Sequence, residues 1–479
     1  MTWEPVIGLE IHCQLNTKTK MFSSDRNRFG DEPNTNISSF STGQPGTLPL
    51  INAEAVRKGV QFGCAVEAEV ALFSAFDRKS YFYPDLPDGF QITQFTSPLI
   101  KNGKLHALVG DKVKTFTIDH AHLENDTGML KHFSSFSGID YNRAGAPLIE
   151  IVSSPCMHSP EEAAAFARGV RAVMHYLDAS DCNMEEGSLR IDINVSIRKP
   201  GEDLRNKTEI KNINSFNNLQ KALHYEIDRQ IAFYEKSPNE PLPSVTCRWD
   251  IAEGKTVVLR AKNTAQDYRY FPEPNLLPLR LTPQYIEDIK KTLPELPLMR
   301  WSRYQETLGL SEYNASLLVQ DKELCDYFEK ALSYHQNPKA LCSWITVEFA
   351  GRLKDKDPIY TSKLLPEYVA ELVKLIDQGK ITGKIAKLIA DDMLQDPTKS
   401  PSEIAGANPD YQPMDDEGAL ETIVDEVLKE NPESIETFRS GRDRAFGFLV
   451  GQVMKKTGGK ANPKRASELL KEKIEKLSS

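Results

Sequence analysis

Two spacings of apolar residues divide this chain. Up to the segment TLPELPLMR at residues 292–300 they recur mainly at every second position, and beyond it at every third or fourth. Period two marks strands with one buried face, and a period near 3.6 marks amphipathic helices. VIGLEIHCQL (6–15) sets Ile7, Leu9, Ile11 and Cys13 on one side and Glu10, His12 and Gln14 on the other. MEEGSLRIDINVSI (184–197) alternates as strictly, with Leu189, Ile191, Ile193 and Val195 against Arg190, Asp192 and Asn194. In TFTIDHAHLEND (115–126), His120, His122, Glu124 and Asp126 share one side, and TEIKNINSF (208–216) does the same with Glu209 and Lys211. Solvent alone explains such a face in an ordinary half-exposed strand. PLIEIV is different, because Glu150 has only apolar neighbours, and a carboxylate buried there must be paired or bound to a cation.

Helices are expected from Asn52 to about Val66, from Ser159 to Asp178 and from about Asn217 to Lys236. The second has Ser159 as cap, Pro160 in the first turn and Glu162 to close a capping box. Residues 22–50, rich in Ser, Asn, Gly and Pro, read as a long loop, and DYRYFPEPNLLPL (267–279) is too proline-rich for a helix or a central strand. FDRKSYFYPDLPDGFQITQF (76–95) combines aromatic and basic residues, with Arg78 and Lys79 as candidate anion ligands or as parts of an aromatic-packed loop. The expected plan is α+β: a strand-rich domain over 1–293, a helical domain over 294–400, a linker over 401–413 and a helical tail over 414–479.

Length and composition refine this plan. At 479 residues the chain exceeds a single ordinary core. No run is long and apolar enough for a membrane span, and no secretory leader opens the sequence, so a cytoplasmic location is expected. The seven cysteines are scattered with no C-x-x-C, which argues for thiols rather than a disulfide frame. A net charge of −9 speaks against an indiscriminate nucleic-acid coat. From Asn431 onward lysine and arginine nevertheless exceed the acids by about five, and the KKTGGKANPKR loop there gathers Lys455, Lys456, Lys460, Lys464 and Arg465. That loop is either solvated or a nucleic-acid contact.

Glu10, His12, Glu124, Glu150 and Asp192 form a ligand set suited to Mg²⁺ or Mn²⁺, and Arg78, Lys79, Arg190 and Lys211 offer charge for a phosphoryl group. No Walker or kinase glycine loop accompanies them. VIGLEIHCQL, FDRKSYFYPD, PLIEIVSSP, MEEGSLRIDINVSI, KNINSF, DYRYFPEP and GFLVGQVMKKTGGKANP, in this order along the whole chain, closely resemble the B subunit of the tRNA-dependent amidotransferase. That resemblance implies an antiparallel-sheet cradle over 1–293, a helical domain and a tRNA-contacting tail. It implies ATP and Mg²⁺ used to phosphorylate the side-chain carboxylate of Glu-tRNA(Gln) or Asp-tRNA(Asn), with ammonia from a glutaminase A subunit and a small C subunit completing a heterotrimer. On matching positions, Glu10, His12, Glu124 and Glu150 would ligate metal, with Asp192 beside them. Lys79, Glu186, Arg190 and Lys211 would serve nucleotide or acyl phosphate, and the tail loop would meet tRNA. Some relatives hold zinc through cysteines in the early loop; residues 22–36 have none here, so no zinc is expected. A competing reading makes the chain a tRNA-presenting scaffold with purely structural acids.

Overall fold

The computed structural model describes residues 3–261, 268–353, 358–411, 417–439 and 443–476. Two compact units emerge, Met1–Arg300 and Trp301–Ser479. Among the described residues of the first, the strands in chain order are β1 (Glu4–Gln14), β2 (Glu69–Val70), β3 (Phe73–Ser80), β4 (Phe90–Ser97), β5 (Ile100–Val109), β6 (Lys112–Asn125), β7 (Met129–His132), β8 (Ser137–Asp140), β9 (Pro147–Ser153), β10 (Leu189–Arg198), β11 (Thr208–Ile213), β12 (Val245–Asp250) and β13 (Lys255–Ala261), followed by two-residue edge pieces at Phe271–Pro272 and Leu279–Arg280.

Nine of these form one sheet in the order β13-β12-β11-β10-β1-β9-β6-β5-β2. The expected antiparallel pattern is broken once, where β11 and β12 run parallel. The break has a local cause. The connection between them is the helix Phe216–Lys236, and a helix-length crossover returns a chain in the same direction that a tight hairpin would reverse. A smaller sheet built on β3 and β4 lies over β6, held by Ile92 N–H donating to Asn125 Oδ1 at 2.9 Å and Leu123 N–H donating to Gln94 Oε1 at 2.9 Å.

Helices α1 (Ala53–Ala65), α2 (Pro160–Tyr176) and α3 (Phe216–Lys236) pack on the large sheet. Their apolar sides meet Ile7, Leu9, Ile11, Ile149, Ile151, Ile191, Ile193 and Val195 in one core, where each buried side chain contributes about 1.5–3 kcal/mol. Asn52 caps α1 through Oδ1, accepting from the N–H groups of Glu54 and Ala55 at 2.9 and 3.3 Å. Ser159 caps α2, but the expected capping box is altered. Glu162 Oε2 accepts from the N–H of His158 at 2.8 Å, one residue before the cap, and Oε1 takes Lys114 Nζ at 2.5 Å. The loop over residues 22–50 has no regular structure but many internal bonds, centred on Asp25, which accepts from Ser38 N–H, Ser38 Oγ and Ser41 Oγ.

The second unit is helical throughout its described residues. Its expected linker contains a helix, Pro401–Ala407, closed by a full capping box: Ser400 Oγ accepts from Glu403 N–H at 3.2 Å and Glu403 Oε2 from Ser400 N–H at 2.8 Å. Tyr411 ends the described part of that segment, and positions 412 and 413 lie outside it. The last three helices, Pro432–Arg439, Asp443–Lys456 and Pro463–Lys476, share a small core with Glu417–Glu430. Asn462 caps the final one, its Oδ1 accepting from the N–H groups of Lys464 and Arg465 at 2.9 and 3.4 Å.

Candidate active site

Strand register brings the acids and imidazoles together. Arg190 on β10 lies opposite His12 on β1, His12 lies opposite Glu150 on β9, and Glu150 lies opposite His122 on β6. One step along, Asp192 lies opposite Glu10. All alternate with the buried Ile and Leu positions, so they occupy the sheet face that the helices leave uncovered.

Glu150 is the centre of this row. Its Oε2 stands 3.4 Å from His12 Nε2 and 3.3 Å from His122 Nε2, while Glu124 stands 3.9 Å from His12 Nε2 and 3.6 Å from His122 Nε2. Burial favours neutral imidazoles, but the two carboxylates outweigh it: His12 is raised above its ordinary range and His122 is pushed up to about 10. Burial likewise opposes ionisation of Glu150, and the same histidines hold it well below the usual carboxylate range.

Above the row hangs Lys79 from β3. Burial disfavours its charge, but Glu124 and Glu150, with Tyr270 and Tyr268, raise its pKa above the ordinary lysine value. Thr93 on β4 donates to Glu124 Oε2 at 3.2 Å. Lys79, Thr93, His122, Glu124 and Glu150 line a cavity of about 520 Å³ that also includes Glu10, Phe95 and Tyr270. The polar side of β6 is therefore roofed by a second sheet, which is why His122 and Glu124 are buried despite the alternating pattern.

The predicted ligand residues separate into two groups. His12, Glu124 and Glu150 each offer one ligand atom, all within 4.8 Å of one another, and so do Glu10, Asp192 and Glu209. The first set, one imidazole and two carboxylates, matches what Mg²⁺ or Mn²⁺ takes. In the second, Asn194 Nδ2 donates to Glu10 Oε1 at 2.8 Å, and Lys211 Nζ lies 2.5 Å from Asp192 and 3.1 Å from Glu209. Burial opposes the Lys211 charge, and these two acids raise its pKa nonetheless.

Arg190 bonds Asp126 at 2.8 Å, and its buried Nε has no hydrogen-bond partner. The other nitrogen of His122, Nδ1, is also buried and unpartnered. Buried polar atoms without a protein partner are uncommon, and a water, an ion or a ligand can each satisfy one. Arg78 is placed otherwise than its pairing with Lys79 suggested. It forks onto the buried carboxylate of Glu273 at 2.6 and 3.0 Å and lies over the Phe90 ring at 4.0 Å. Its guanidinium is thus engaged in holding the small sheet to the chain near Phe271. Glu186 is exposed in the turn before β10, its N–H donating to Asn183 Oδ1 at 3.4 Å.

Reading the sequence alone leaves out His122, Glu209 and Asp126 as working residues. His122 had a signal, since it shares a strand face with Glu124. Glu209 had one too, beside Lys211. What was missing was the register that sets them against residues far away in the chain.

In the tail loop, Lys456 pairs with Glu426 and Glu430 at 3.0 and 2.7 Å, Lys460 with Asp410 at 2.9 Å, and Arg465 with Glu468 at 3.4 Å. Lys455 and Lys464 are exposed and form no ion pair among the described residues. No described helix is long and apolar enough to cross a membrane.

Comparison with known proteins bears on this geometry. Residues 5–287 match the family model described as the GatB/GatE catalytic domain, and residues 326–474 match one described as the GatB domain. The chain is 56% identical over 481 residues to the B subunit of the aspartyl/glutamyl-tRNA(Asn/Gln) amidotransferase of Protochlamydia amoebophila (strain UWE25), covering 99% of this chain and 97% of that one. It is 54% identical over 480 residues to the protein of the same name from Chlamydia pneumoniae, covering 99% and 98%, respectively. The corresponding protein of Chlamydia caviae (strain ATCC VR-813 / DSM 19441 / 03DC25 / GPIC) is 52% identical over 480 residues, at 99% of each chain.

Proposed function

Because this chain belongs to the GatB family of amidotransferase B subunits, we propose that it activates the side-chain carboxylate of a misacylated tRNA with ATP and delivers it to ammonia. The substrate is Glu-tRNA(Gln), Asp-tRNA(Asn) or both, and the products are Gln-tRNA(Gln) and Asn-tRNA(Asn). The chain works in the cytoplasm as part of a heterotrimer, with a glutaminase A subunit as the source of ammonia and a small C subunit. The observation that carries this reading is the convergence of Glu124, Glu150 and Lys79 on one cavity, with His12 Nε2 beside both carboxylates.

The chemistry explains why such a cavity is needed. A carboxylate is a poor acyl donor because its leaving group would be oxide. Transfer of the γ-phosphoryl group of ATP to a carboxylate oxygen gives ADP and an acyl phosphate. Ammonia then forms the C–N bond, the C–O bond to phosphate breaks, and a proton is released. His12, Glu124 and Glu150 hold a divalent ion, Mg²⁺ in this reading. When bound, that ion offsets the negative charge of the phosphate oxygens. Lys79, kept protonated by Glu124 and Glu150, holds a fixed positive charge where the phosphates lie, and electrostatic preorganisation of this kind commonly contributes more to such transfers than any other effect. Arg190 stands opposite His12 as a further positive charge beside this cluster, and Asp126 fixes one end of its fork. Lys211 is held by Asp192 and Glu209 on the neighbouring rows. In the tail, Lys455 and Lys464 meet tRNA phosphates.

The test is ADP formation by the assembled heterotrimer that depends on misacylated tRNA, with Glu150→Gln against wild type. Loss of turnover with folding intact supports the reading. Unchanged turnover at saturating Mg²⁺ refutes the role of the cluster.

A further inference from the structure

One face of the cavity is aromatic, and nothing in the phosphoryl chemistry above uses it. Phe95, on β4, is 62% exposed although it is a large apolar side chain. Exposed single aromatics are ordinary, but this one is built in. Its ring stacks on Tyr270 with centroids 4.1 Å apart and planes only 9° from parallel. Its backbone is pinned from below by Asp77, whose 1%-exposed carboxylate accepts from the N–H of Phe95 at 3.1 Å, the N–H of Thr96 at 2.8 Å and the Thr96 hydroxyl at 2.9 Å. A buried carboxylate spent on two backbone donors at a strand irregularity fixes the ring before any ligand arrives.

Both rings line the same 520 Å³ cavity as Lys79, Glu124 and Glu150, a size within the roughly 300–1,000 Å³ of small-molecule sites. The column also connects to the phosphate end: Tyr270 meets Tyr268 edge-on at 6.0 Å, and Lys79 Nζ sits 5.0 Å from the Tyr268 ring centre. A flat ring already stacked on one face and open on the other accepts a third flat ring. With metal-ligating carboxylates and a cation at the other end, the ligand that satisfies both ends is a planar base joined to a polyphosphate.

We propose that the Phe95–Tyr270 stack is the platform for the adenine ring of ATP, a role that rests on the kinase reading above. Phe95→Leu in the assembled heterotrimer keeps an apolar side chain and removes the flat face, so the KM for ATP should rise on the order of tenfold, the amount expected for one lost base–aromatic stack. The turnover number should stay within about twofold, since the reacting atoms are untouched. Inhibition by inorganic triphosphate, which has the charge but no base, should be unchanged. Phe95→Trp should restore ATP affinity, and its fluorescence should be quenched by ATP but not by inorganic triphosphate. An unchanged KM for ATP in the folded Leu variant overturns the proposal. A rise confined to the KM for aminoacyl-tRNA also overturns it and assigns the ring to the tRNA end. A wild-type complex that forms no ADP refutes the kinase reading instead, and the tryptophan quench by ATP still decides the platform.

Discussion

Loading the site with Mn²⁺ should expel protons. In the metal-free protein Glu150 and Glu124 hold His122 protonated up to about 10 and raise His12 above its ordinary range. A ligating imidazole needs a free lone pair, so His12 must surrender its proton before it binds a cation. Neutralisation of Glu150 and Glu124 by a dication then removes what holds the proton on His122. At pH 7.5 the release should therefore be above zero and at most two protons per ion bound. Each proton released makes the apparent affinity climb by up to about tenfold per pH unit, equivalent to about 1.4 kcal/mol. Calorimetric titration of Mn²⁺ in buffers of different ionisation enthalpy counts the protons directly. His122→Gln should lower the count by up to one while leaving His12, Glu124 and Glu150 to bind.

The same groups fix the pH dependence of the metal-free fold. His122 titrates near 6.5 in an unfolded chain and near 10 in the folded one. A raised pKa of this kind adds stability that is fully present below about pH 6.5 and is lost as the pH climbs through about 10. Denaturant midpoints of the metal-free protein should fall across that window, and Mn²⁺ should flatten the fall. Binding that releases no protons at pH 7.5, with a dissociation constant independent of pH between 6.5 and 9, would refute the imidazolium–carboxylate arrangement.

Three other substitutions separate structural from functional roles. Arg78→Ala leaves the buried Glu273 carboxylate without its fork and should cost about 3–5 kcal/mol in denaturant unfolding, whereas a phosphate-binding role would instead raise the KM for ATP with stability intact. Ser400→Ala removes the cap of the Pro401–Ala407 helix and should cost about 1 kcal/mol, measured as a lowered unfolding midpoint of the full chain; no change is expected if the segment is only a linker. Lys455→Ala and Lys464→Ala should each reduce the slope of log affinity for tRNA against log salt by about 0.7–0.9, while Lys456→Ala, already paired with Glu426 and Glu430, should change it less.

Much of the first unit was legible because period two is a local signal. β1, β9 and β10 follow from Ile7 to Leu15, from Pro147 to Val152 and from Leu189 to Ile197 without reference to the rest of the chain. Register is not local. Setting Glu150 between His12 and His122 requires three strands to pair in one alignment, and no single segment encodes it. Glu10 and Asp192 thus looked like partners of His12, although they belong to the adjacent row with Glu209. Two departures were readable. Neighbouring positions on a strand face opposite ways, so Arg78 and Lys79 had to separate, and the S-x-x-E of Ser400 to Glu403 with Pro401 is a helix start in the midst of turn-forming residues.

The site's charge balance follows from the same rows. Four carboxylates, Glu10, Glu124, Glu150 and Asp192, stand on one sheet face beside a roof, and left alone they would repel one another in a poorly solvated place. The chain supplies an internal cation for each row: His12 and His122 for Glu124 and Glu150, and Lys211 for Asp192 with Glu209. The two rows differ in how easily those cations yield. Once a dication neutralises Glu124 and Glu150, an imidazolium there falls back toward its ordinary range and can lose its proton near neutral pH, whereas a lysine ammonium such as Lys211 stays charged at that pH even at its ordinary value. A divalent ion arriving near neutral pH therefore displaces protons at the histidine row but must displace a whole side chain at the lysine row. That asymmetry predicts that titration of Mn²⁺ near pH 7.5 gives one tight ion at His12, Glu124 and Glu150. Lys211→Met should create a second binding event at Glu10, Asp192 and Glu209, and a single unchanged site in that variant would show that Lys211 is not what keeps the second row closed to metal.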